Sequence, residues 1–420
     1  MSSVLDLHDS TLRLWHRDEL VESPGYAWWD GQNFRFGVPA MRTQRRTPRE
    51  VNTRYWSQLS TQPLSPPLGQ ARHAADLVHA HLQDMHRLAG EPNDLLITAP
   101  GSMGREALSL LLGIVEHLPF RVAGLVHRTA VLGAASGLSR GQHVELQLHQ
   151  TQVTPFVVDG QQVTVETGQV IPGEGMLALQ DRLATAIAGS FVAQTRYDPL
   201  RSADGEQSLY DALPGALESL RSVGEAQIAI GGYQARITRD DLQSVGAAYG
   251  RVIAPLLSAD APILLESPLD LLPGLVLPAA HHNTSGQQLA AVVSECASAL
   301  LQTADQLTLN RSVPVVTSGA IGSTTERTQQ APASAATDRR DITPPTHLLL
   351  GNRALPLESA NALPEGASVA AEATAARLTP GEASALLVNG QPAENGQVLC
   401  PGDELSDGSG YHALLIVVED

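Results

Sequence analysis

The chain contains no lysine, and all 27 of its basic residues are arginine. This absence excludes mechanisms that need a lysine amine, such as a Walker-type phosphate loop, a Schiff base or a lysine general base. The two cysteines, Cys296 and Cys400, lack a CxxC partner, so neither a zinc site nor a disulfide framework is indicated. No apolar run approaches the roughly eighteen residues of a membrane span, and the first residues lack a signal-peptide pattern. We therefore expect a cytoplasmic protein with no membrane partner.

The charge balance argues against nucleic acid as a partner. The chain has 44 acidic residues against 27 basic ones, which gives a formal net charge of -17. Such a surface repels phosphate backbones. With 420 residues, of which 43% are hydrophobic, the chain has enough apolar material for packed cores in more than one domain.

Composition and periodicity divide the chain into three parts. Residues 1–310 alternate strand and helix signals. Residues 311–345 are rich in Ser, Thr, Ala, Gln and Pro without an apolar period, which predicts a flexible linker. Residues 346–420 are dense in glycine and proline turns and predict a small all-β domain.

The large part predicts an α/β fold built from two similar lobes, at about 1–140 and about 141–310. In the first lobe, hairpins near 3–15 and 26–39 precede a helix at 70–88, a strand at 94–100, a helix that begins at Ser102, a strand at 121–126 and a helix at 129–137. The second lobe repeats this order, with strands at 143–158 and 161–167 and a helix at 176–195. A hairpin at 227–237, a strand at 262–265 and a helix at 287–304 follow. Thr238 with Asp241 predicts a capping box.

Each lobe carries a tight turn after an apolar strand. The first turn contains Asp6, His8, Asp9 and Ser10, and the second contains Gln147 and His149. This layout resembles the superfamily of actin, sugar kinases and heat-shock chaperone ATPases. ITAPGSMGREALSLLLG (97–113) and LVHRTAVLGAA (125–135) are similar to the chaperone-type passages of the first lobe, and PILLESPLDLLPGL (262–275) stands in the place of the adenosine loop. The resemblance implies a two-lobed fold with a duplicated mixed sheet and a nucleotide cleft between the lobes.

Three departures from the family pattern fall at the implied nucleotide site. His8 stands where the family has the glycine of its Asp-x-Gly-Thr/Ser turn, and a side chain there obstructs the approach of backbone N–H groups to a phosphate. In the second turn, Gln147 and His149 replace the family's aspartate and glycine, so one metal-orienting carboxylate is missing. In the adenosine loop, Glu266 and Ser267 replace a Gly-Gly pair.

These departures lead us to expect a cleft that no longer performs ATP chemistry. The favoured hypothesis is a non-hydrolytic or weakly nucleotide-binding scaffold or regulator that acts through protein partners and needs no cofactor. The alternative is an active chaperone-like or actin-like ATPase with altered loops, in which Asp6 holds the magnesium of ATP. A sugar kinase is a third hypothesis, disfavoured because no motif supplies an aspartate to deprotonate a hydroxyl.

The C-terminal part resembles a forkhead-associated β-sandwich in its last segment, 385–420. Asn389-Gly390 matches that family's turn, and Gly402-Asp403 precedes a closing strand at 413–418. The family's phosphothreonine-binding Gly-Arg and Ser-x-x-His motifs are missing. From residue 347 onward ten acidic residues face only Arg353 and Arg377, which disfavours phosphopeptides. We expect a small β-domain for general protein contact or oligomerisation.

Four further features have ordinary structural interpretations. The fourteen histidines form no HExxH or similar spacing, so we predict no metal site. Ser102 lacks the GxSxG pattern of a hydrolase and is predicted to be a helix N-cap. Arginines 42, 45, 46 and 49 are expected to form a solvated loop paired with nearby carboxylates. The aromatic residues of 28–56 are expected to pack the first lobe, with any exposed tryptophan marking a contact surface.

Overall fold

The computed structural model describes residues 3–17, 19–303 and 307–316, followed by the segments 346–350, 353–357, 368–372, 375–379, 386–388, 391–393, 397–399, 403–406 and 412–416. The chain divides into two compact units, Met1–Arg327 and Thr328–Asp420. Among the described residues, no helix is both long enough and apolar enough to cross a membrane.

The described strands of the first unit are β1 (Ser3–Asp6), β2 (Leu12–His16), β3 (Glu19–Ser23), β4 (Ala27–Trp29), β5 (Phe34–Phe36), β6 (Val51–Asn52), β7 (Pro63–Leu68), β8 (Ala71–His73), β9 (Asp94–Ala99), β10 (Arg121–His127), β11 (Arg140–Leu146), β12 (Gln150–Asp159), β13 (Gln162–Val165), β14 (Gln169–Pro172), β15 (Glu225–Ile230), β16 (Tyr233–Thr238), β17 (Ile263–Leu265), β18 (His281–Asn283) and β19 (Ser312–Pro314). Its described α-helices are α1 (Val38–Met41), α2 (Ala74–Leu88), α3 (Arg105–Val115), α4 (Arg128–Ser136), α5 (Met176–Thr195), α6 (Ala203–Ser222), α7 (Arg239–Ile253), α8 (Gly286–Glu295) and α9 (Ala297–Leu300).

Two mixed sheets in the first unit share one strand order. The first sheet runs β10-β9-β1-β2-β3, and five strands of the second run β18-β17-β11-β12-β13. In the first sheet, β1 pairs antiparallel with β2 and parallel with β9. In the second sheet, β11 likewise pairs antiparallel with β12 and parallel with β17. Both parallel partners follow a helix in the chain. The predicted α/β class is therefore confirmed.

Helices cover both faces of these sheets because each sheet carries apolar side chains on both sides. One core joins the first sheet to α2 and α3, and a second joins the second sheet to α5, α6 and α7. A third core contains Val4 and Val126 of the first sheet, Phe156 of the second, and residues of α4 and α8. Helices α4 and α8 therefore lie between the two sheets. Every residue of α4 is buried, which explains its small side chains.

The second unit is built from antiparallel strands. These are β20 (His347–Leu350), β21 (Arg353–Pro356), β22 (Ser368–Glu372), β23 (Ala375–Thr379), β24 (Leu387–Val388), β25 (Gln391–Pro392), β26 (Gln397–Leu399), β27 (Glu404–Ser406) and β28 (His412–Ile416). Among the described residues of this unit they form one six-stranded and one three-stranded sheet. Both sheets contribute to one core, in which Leu348 and Leu415 pack with Leu378. The turn expected at 389–390, residue 402 of the Gly-Asp pair and the end of the closing strand at 417–418 lie outside the described residues.

Three predictions of local structure are wrong. Ser312–Pro314, assigned to the linker, forms β19 and pairs with β13, while residues 317–345 lie outside the described part of the chain. Helix α3 begins at Arg105 with Gly104 as its N-cap, so Ser102 does not cap it. The predicted helix at 287–304 is instead two helices, α8 and α9, which meet at Cys296.

Candidate functional site

Charged side chains gather where the carboxyl ends of strands from the two sheets approach each other. Asp6 is the last residue of β1, and Arg128 follows β10 directly as the first residue of α4. Glu145 lies near the end of β11, and Glu266 follows β17. In open α/β sheets this edge is the usual place for a functional site. We call Asp6, His8, Arg128, His143, Glu145 and Glu266 the cleft cluster.

The guanidinium of Arg128 joins the two sheets. Its side chain is completely buried. Nε donates a 2.8 Å hydrogen bond to Oδ1 of Asp6, and Nη2 donates a 2.7 Å hydrogen bond to Oε1 of Glu266. Nη1 donates to the other carboxylate oxygen of Glu266, so this pair is bidentate. The planar fork of arginine suits such an arrangement, which lysine could not reproduce.

The surroundings keep Glu266 ionised. Burial alone would raise the pKa of this carboxyl, but Arg128 and His143 outweigh it and hold the pKa well below its usual range. His143 Nε2 lies 3.2 Å from Oε2 of Glu266. Because an ionised carboxylate only accepts hydrogen bonds, Nε2 of His143 carries a proton, and Nδ1 lies 3.1 Å from the Thr129 hydroxyl. The imidazole thus supports Glu266 from β11.

Only one of the two carboxylate oxygens of Asp6 accepts hydrogen bonds from the described residues. The hydroxyl of Thr98 on β9 donates a 2.6 Å hydrogen bond to Oδ1, the oxygen that also accepts from Arg128. The other oxygen, Oδ2, lies 3.8 Å from Nη1 of Arg13 and has no hydrogen-bond partner among the described residues. Asp6 is completely buried.

His8 lies in the turn between β1 and β2. Its Nδ1 is 2.7 Å from the hydroxyl of Ser10, and its Nε2 is 3.7 Å from Oε1 of Glu145. Burial, with Arg128 as the next largest cause, holds the pKa of His8 well below its usual range, so the imidazole is neutral at physiological pH. The Glu145 pKa is raised, chiefly by burial. A neutral imidazole therefore stands in the position where the sequence resemblance implied a glycine.

Asp9 connects the first turn to the second. Its Oδ1 accepts a 2.8 Å hydrogen bond from the backbone N–H of Leu148, which lies between β11 and β12. Burial raises the pKa of Asp9 to about 7, in spite of backbone hydrogen bonds from Leu148 and Ser10 that favour the carboxylate.

The second turn directs its side chains to two different places. The amide of Gln147 donates to Glu145 at 3.1 Å and exchanges hydrogen bonds with Ser102 at 2.7 and 3.0 Å. His149 instead faces Thr53, with Nε2 3.0 Å from the Thr53 hydroxyl. Ser102 therefore ties the first sheet's loop to the second turn.

Of the eight residues predicted from sequence, six lie in or beside the cleft cluster: Asp6, His8, Asp9, Ser10, Gln147 and Glu266. His149 points away to Thr53, and Ser267 is exposed. Sequence reasoning missed Arg128, His143 and Glu145. Arg128 stands in the segment 125–135 that carried the resemblance, and a charged residue directly after an apolar strand was the available signal.

Two residues of the arginine loop (residues 42–49), Arg45 and Arg46, pair with carboxylates that are distant in the sequence, and not with nearby ones as predicted. Arg45 donates to Asp181 at 2.6 Å and to Glu206 at 3.3 Å, and its guanidinium stacks 3.8 Å from the centre of the Tyr210 ring. Arg46 donates to Asp204 at 2.7 Å. These partners lie on α5 and α6, so the loop fastens the first half of the unit to the helices of the second.

One histidine outside the cluster has a structural role in the core. His81 of α2 is completely buried, with Nε2 2.6 Å from the Ser23 hydroxyl and Nδ1 2.8 Å from the Tyr55 hydroxyl. Its ring also stacks on Phe36. Burial lowers the pKa of His81 to about 3, so it is a neutral hydrogen-bonding group of the core. Within the described part of the chain, no group of three or more His, Cys, Asp or Glu residues is arranged to hold a metal ion.

A cavity of about 450 Å³ lies beside the predicted adenosine loop, residues 262–275. It is bounded by the C-terminal end of α6, the N-terminal end of α7 and residues 269–277. Arg221 donates a 3.1 Å hydrogen bond to Asp270 in its wall.

Comparison with known proteins adds no relative to these observations. No family model matches the chain, and no curated protein matches it.

Proposed function

We propose that the protein is a non-catalytic scaffold or regulator, with a two-lobed fold of the actin and chaperone ATPase type, in which buried ion pairs stand in place of nucleotide phosphates. The common strand order of the two sheets supports the fold. So does the position of α4 and α8 between them. Because a fold is specified by its core and a function by a few residues, the architecture can persist without the chemistry.

The observation that carries the proposal is the buried bridge from Asp6 through Arg128 to Glu266. In the family, the equivalents of Asp6 and Glu266 flank the nucleotide. Here a protein cation neutralises both carboxylates and joins them. A nucleotide would have to break this bridge, and the separation of a buried ion pair costs several kcal/mol.

The local charges do not fit a magnesium nucleotide either. A triphosphate at the first turn would lie beside Asp9 and Glu145, and the neutral imidazole of His8 occupies the space that backbone N–H groups would need. Asp6, the residue that the ATPase alternative assigns to magnesium, already accepts hydrogen bonds from Thr98 and Arg128. The site therefore favours the scaffold over the ATPase.

Calorimetric titration of the full chain with ATP and ADP in the presence of Mg²⁺ tests this proposal. We expect no saturable heat up to millimolar nucleotide and no phosphate release. A His8→Gly variant, which restores the family's glycine, is the matched control and is expected to remain inactive because the Arg128 bridge persists. Micromolar binding by the unmodified chain would overturn the proposal. Binding gained by His8→Gly alone would show that the bridge is not the obstacle.

We infer that partner contact involves the second unit without phosphopeptide recognition. From residue 347 onward, ten acidic residues outnumber two arginines. Phosphate recognition relies on clustered arginines, so this balance opposes it. A pool of phosphothreonine peptides and its unphosphorylated counterpart should show no difference in binding to the full chain. Selective capture of the phosphorylated pool would refute this inference.

A further inference from the structure

A cavity of about 590 Å³ opens at the carboxyl end of β10, on a side that the cleft cluster does not use. Its walls come from the loop and first turns of α3, the end of β10, residues 167–168 and the segment 307–311. Backbone hydrogen bonds fix that segment on β10: the N–H of His127 donates to the carbonyl of Asn310, and the N–H of Asn310 donates to the carbonyl of Leu125. The volume is typical of a small-molecule site.

One wall of the cavity is apolar. Its apolar side chains are Met103, Leu108, Leu112, Leu125, Leu307 and Leu309. Leu125 is completely buried, while Leu108, Leu112, Leu307 and Leu309 are only half-buried. An apolar group in the cavity would remove these partly exposed leucines from water, which is favourable.

The imidazole of His127 presents a hydrogen-bond donor to the cavity. Its Nδ1 accepts the 3.2 Å hydrogen bond from the backbone N–H of Thr129 that caps α4. The proton is therefore on Nε2. Burial, followed by the nearby Arg311, His143 and Arg128, lowers the pKa of His127 to about 3, so the ring is a neutral donor at physiological pH.

Two glycines in the cavity wall, Gly101 and Gly168, leave room for the side-chain amide of Gln152 beside His127. A Cβ on Gly101 would lie 2.5 Å from Nε2 of His127 and 2.6 Å from Nε2 of Gln152, and a Cβ on Gly168 would lie 2.7 Å from the same Gln152 nitrogen. Gln152 is 2% exposed, and its Oε1 has no hydrogen-bond partner among the described residues. The amide of Gln152 thus lies directly behind the two glycines, next to His127.

The charged groups at the cavity are both arginines. Arg105 and Arg311 line it, and no acidic residue does so among the described lining residues, in a chain whose net charge is -17. Within the described part of the chain, Arg105 forms no ion pair, and Arg311 donates only to the backbone carbonyl of Glu166. Both guanidinium groups therefore have hydrogen-bonding capacity left for a ligand.

We propose that this cavity binds a small amphipathic anion, with its carboxylate or phosphate head at Arg105, Arg311 and His127 and its apolar tail on the leucine wall. The donors and cations select an acceptor of negative charge, and the leucines select an apolar alkyl chain. This site is separate from the cleft cluster, and its occupancy does not depend on the function proposed above.

The test is a calorimetric titration of the full chain with octanoate, octyl phosphate and the neutral control octanol. We expect saturable binding of one anion per chain and binding of octanol at least tenfold weaker. Arg105→Gln and Arg311→Gln should each weaken anion binding about fivefold, and the double variant should lose it. Arg87→Gln is the matched control, because Arg87 pairs with Asp84 on α2 and does not line the cavity.

Each outcome of the titration decides the proposal. Binding of octanoate alone assigns a carboxylate head, and binding of octyl phosphate alone assigns a phosphate head; either supports the site. The proposal is wrong if neither anion binds at millimolar concentration or if octanol binds equally well. It is also wrong if the double arginine variant binds like the unmodified chain, since binding would then lie elsewhere. The variants alter exposed side chains, and circular dichroism will verify that they fold.

Discussion

The carboxylate of Asp9 accepts a hydrogen bond from the backbone N–H of Leu148, a residue 139 positions further along the chain. This 2.8 Å contact joins the turn after β1 to the turn after β11, and so connects the two sheets at one point. The Arg128 bridge connects them at another. Together these contacts form a buried polar cluster where the carboxyl ends of the two sheets approach each other, beside the apolar core around α4 and α8.

The protonation of Asp9 should make stability depend on pH. Its pKa rises from a usual value of 3.8 to about 7 on folding, chiefly through burial. The folded state therefore holds a proton that the unfolded state has lost, and the stabilisation from that proton is fully present below pH 3.8 and is lost as the pH rises through 7. Urea unfolding of the unmodified chain and of Asp9→Asn should show that the free energy of unfolding of the unmodified chain, relative to the variant, is higher at pH 5 than at pH 8.

A difference between these two proteins that stays constant with pH would mean that Asp9 titrates normally. An advantage that grows from pH 5 to pH 8 would mean that the folded state binds fewer protons than the unfolded state over this range, which is opposite to a raised pKa of Asp9. Either result would contradict the environment described for this carboxyl.

Loss of the Arg128 side chain should destabilise the first unit severely. Arg128→Met leaves the buried carboxylates of Asp6 and Glu266 without their cation, and the loss of one partner from a buried ion pair costs about 3 to 5 kcal/mol. Chemical unfolding followed by circular dichroism will measure this loss of unfolding free energy.

A matched variant separates this charge effect from packing. Arg128→Met combined with Asp6→Asn and Glu266→Gln removes the unpaired charges, so it should recover most of the lost stability. If the single variant is within about 1 kcal/mol of the unmodified chain, the bridge is not a significant stabilising element. If the triple variant is as unstable as the single one, the loss is due to volume and not to charge.

The contacts of Arg45 should protect the arginine loop from opening. Arg45→Ala removes the hydrogen bonds to Asp181 and Glu206 and the stacking on Tyr210. Because the guanidinium is partly exposed, we expect the free energy of opening the loop to fall by about 1 kcal/mol. This corresponds to roughly fivefold faster amide exchange at residues 42–50. Hydrogen exchange with mass spectrometry measures this rate. Arg49→Ala, at an exposed position of the same loop, should leave it unchanged; equal rates in both variants would rule out a fastening role.

The capping box of α7 should contribute measurably to stability. Oδ2 of Asp241 accepts 2.7 Å hydrogen bonds from the backbone N–H and the hydroxyl of Thr238. Asp241→Ala is expected to cost about 1 kcal/mol of unfolding free energy. Asp240→Ala is the control, because the exposed Asp240 also lies in the first turn but is outside the box. An equal decrease of the thermal unfolding temperature in both variants would mean that the effect comes from the helix dipole alone and not from the capping box.

The features that the sequence predicted correctly depend on local patterns. Helix α5 occupies 176–195 as its apolar period indicated, and Thr238 with Asp241 forms the expected box. Strands β9 and β10 were recognised from short apolar runs bounded by turns. In each case the physical cause acts within a few residues, so the chain itself carries the signal.

The features that were missed depend on tertiary contacts. Helix α6 contains Pro214, which normally ends a helix, yet Leu209, Leu213 and Leu217 bury one side of it in the second core. Packing therefore outweighs the lost backbone hydrogen bond. Arg128 and Glu145 come together only because two sheets meet, and no local pattern indicates which charge is buried.

The most direct test of the account is a crystal structure of the full chain grown with millimolar ATP and Mg²⁺. We predict that Arg128 still bridges Asp6 and Glu266, with no triphosphate between the turns that carry His8 and His149. A triphosphate seated between those turns, with Arg128 withdrawn from Glu266, would contradict the scaffold function and restore the ATPase.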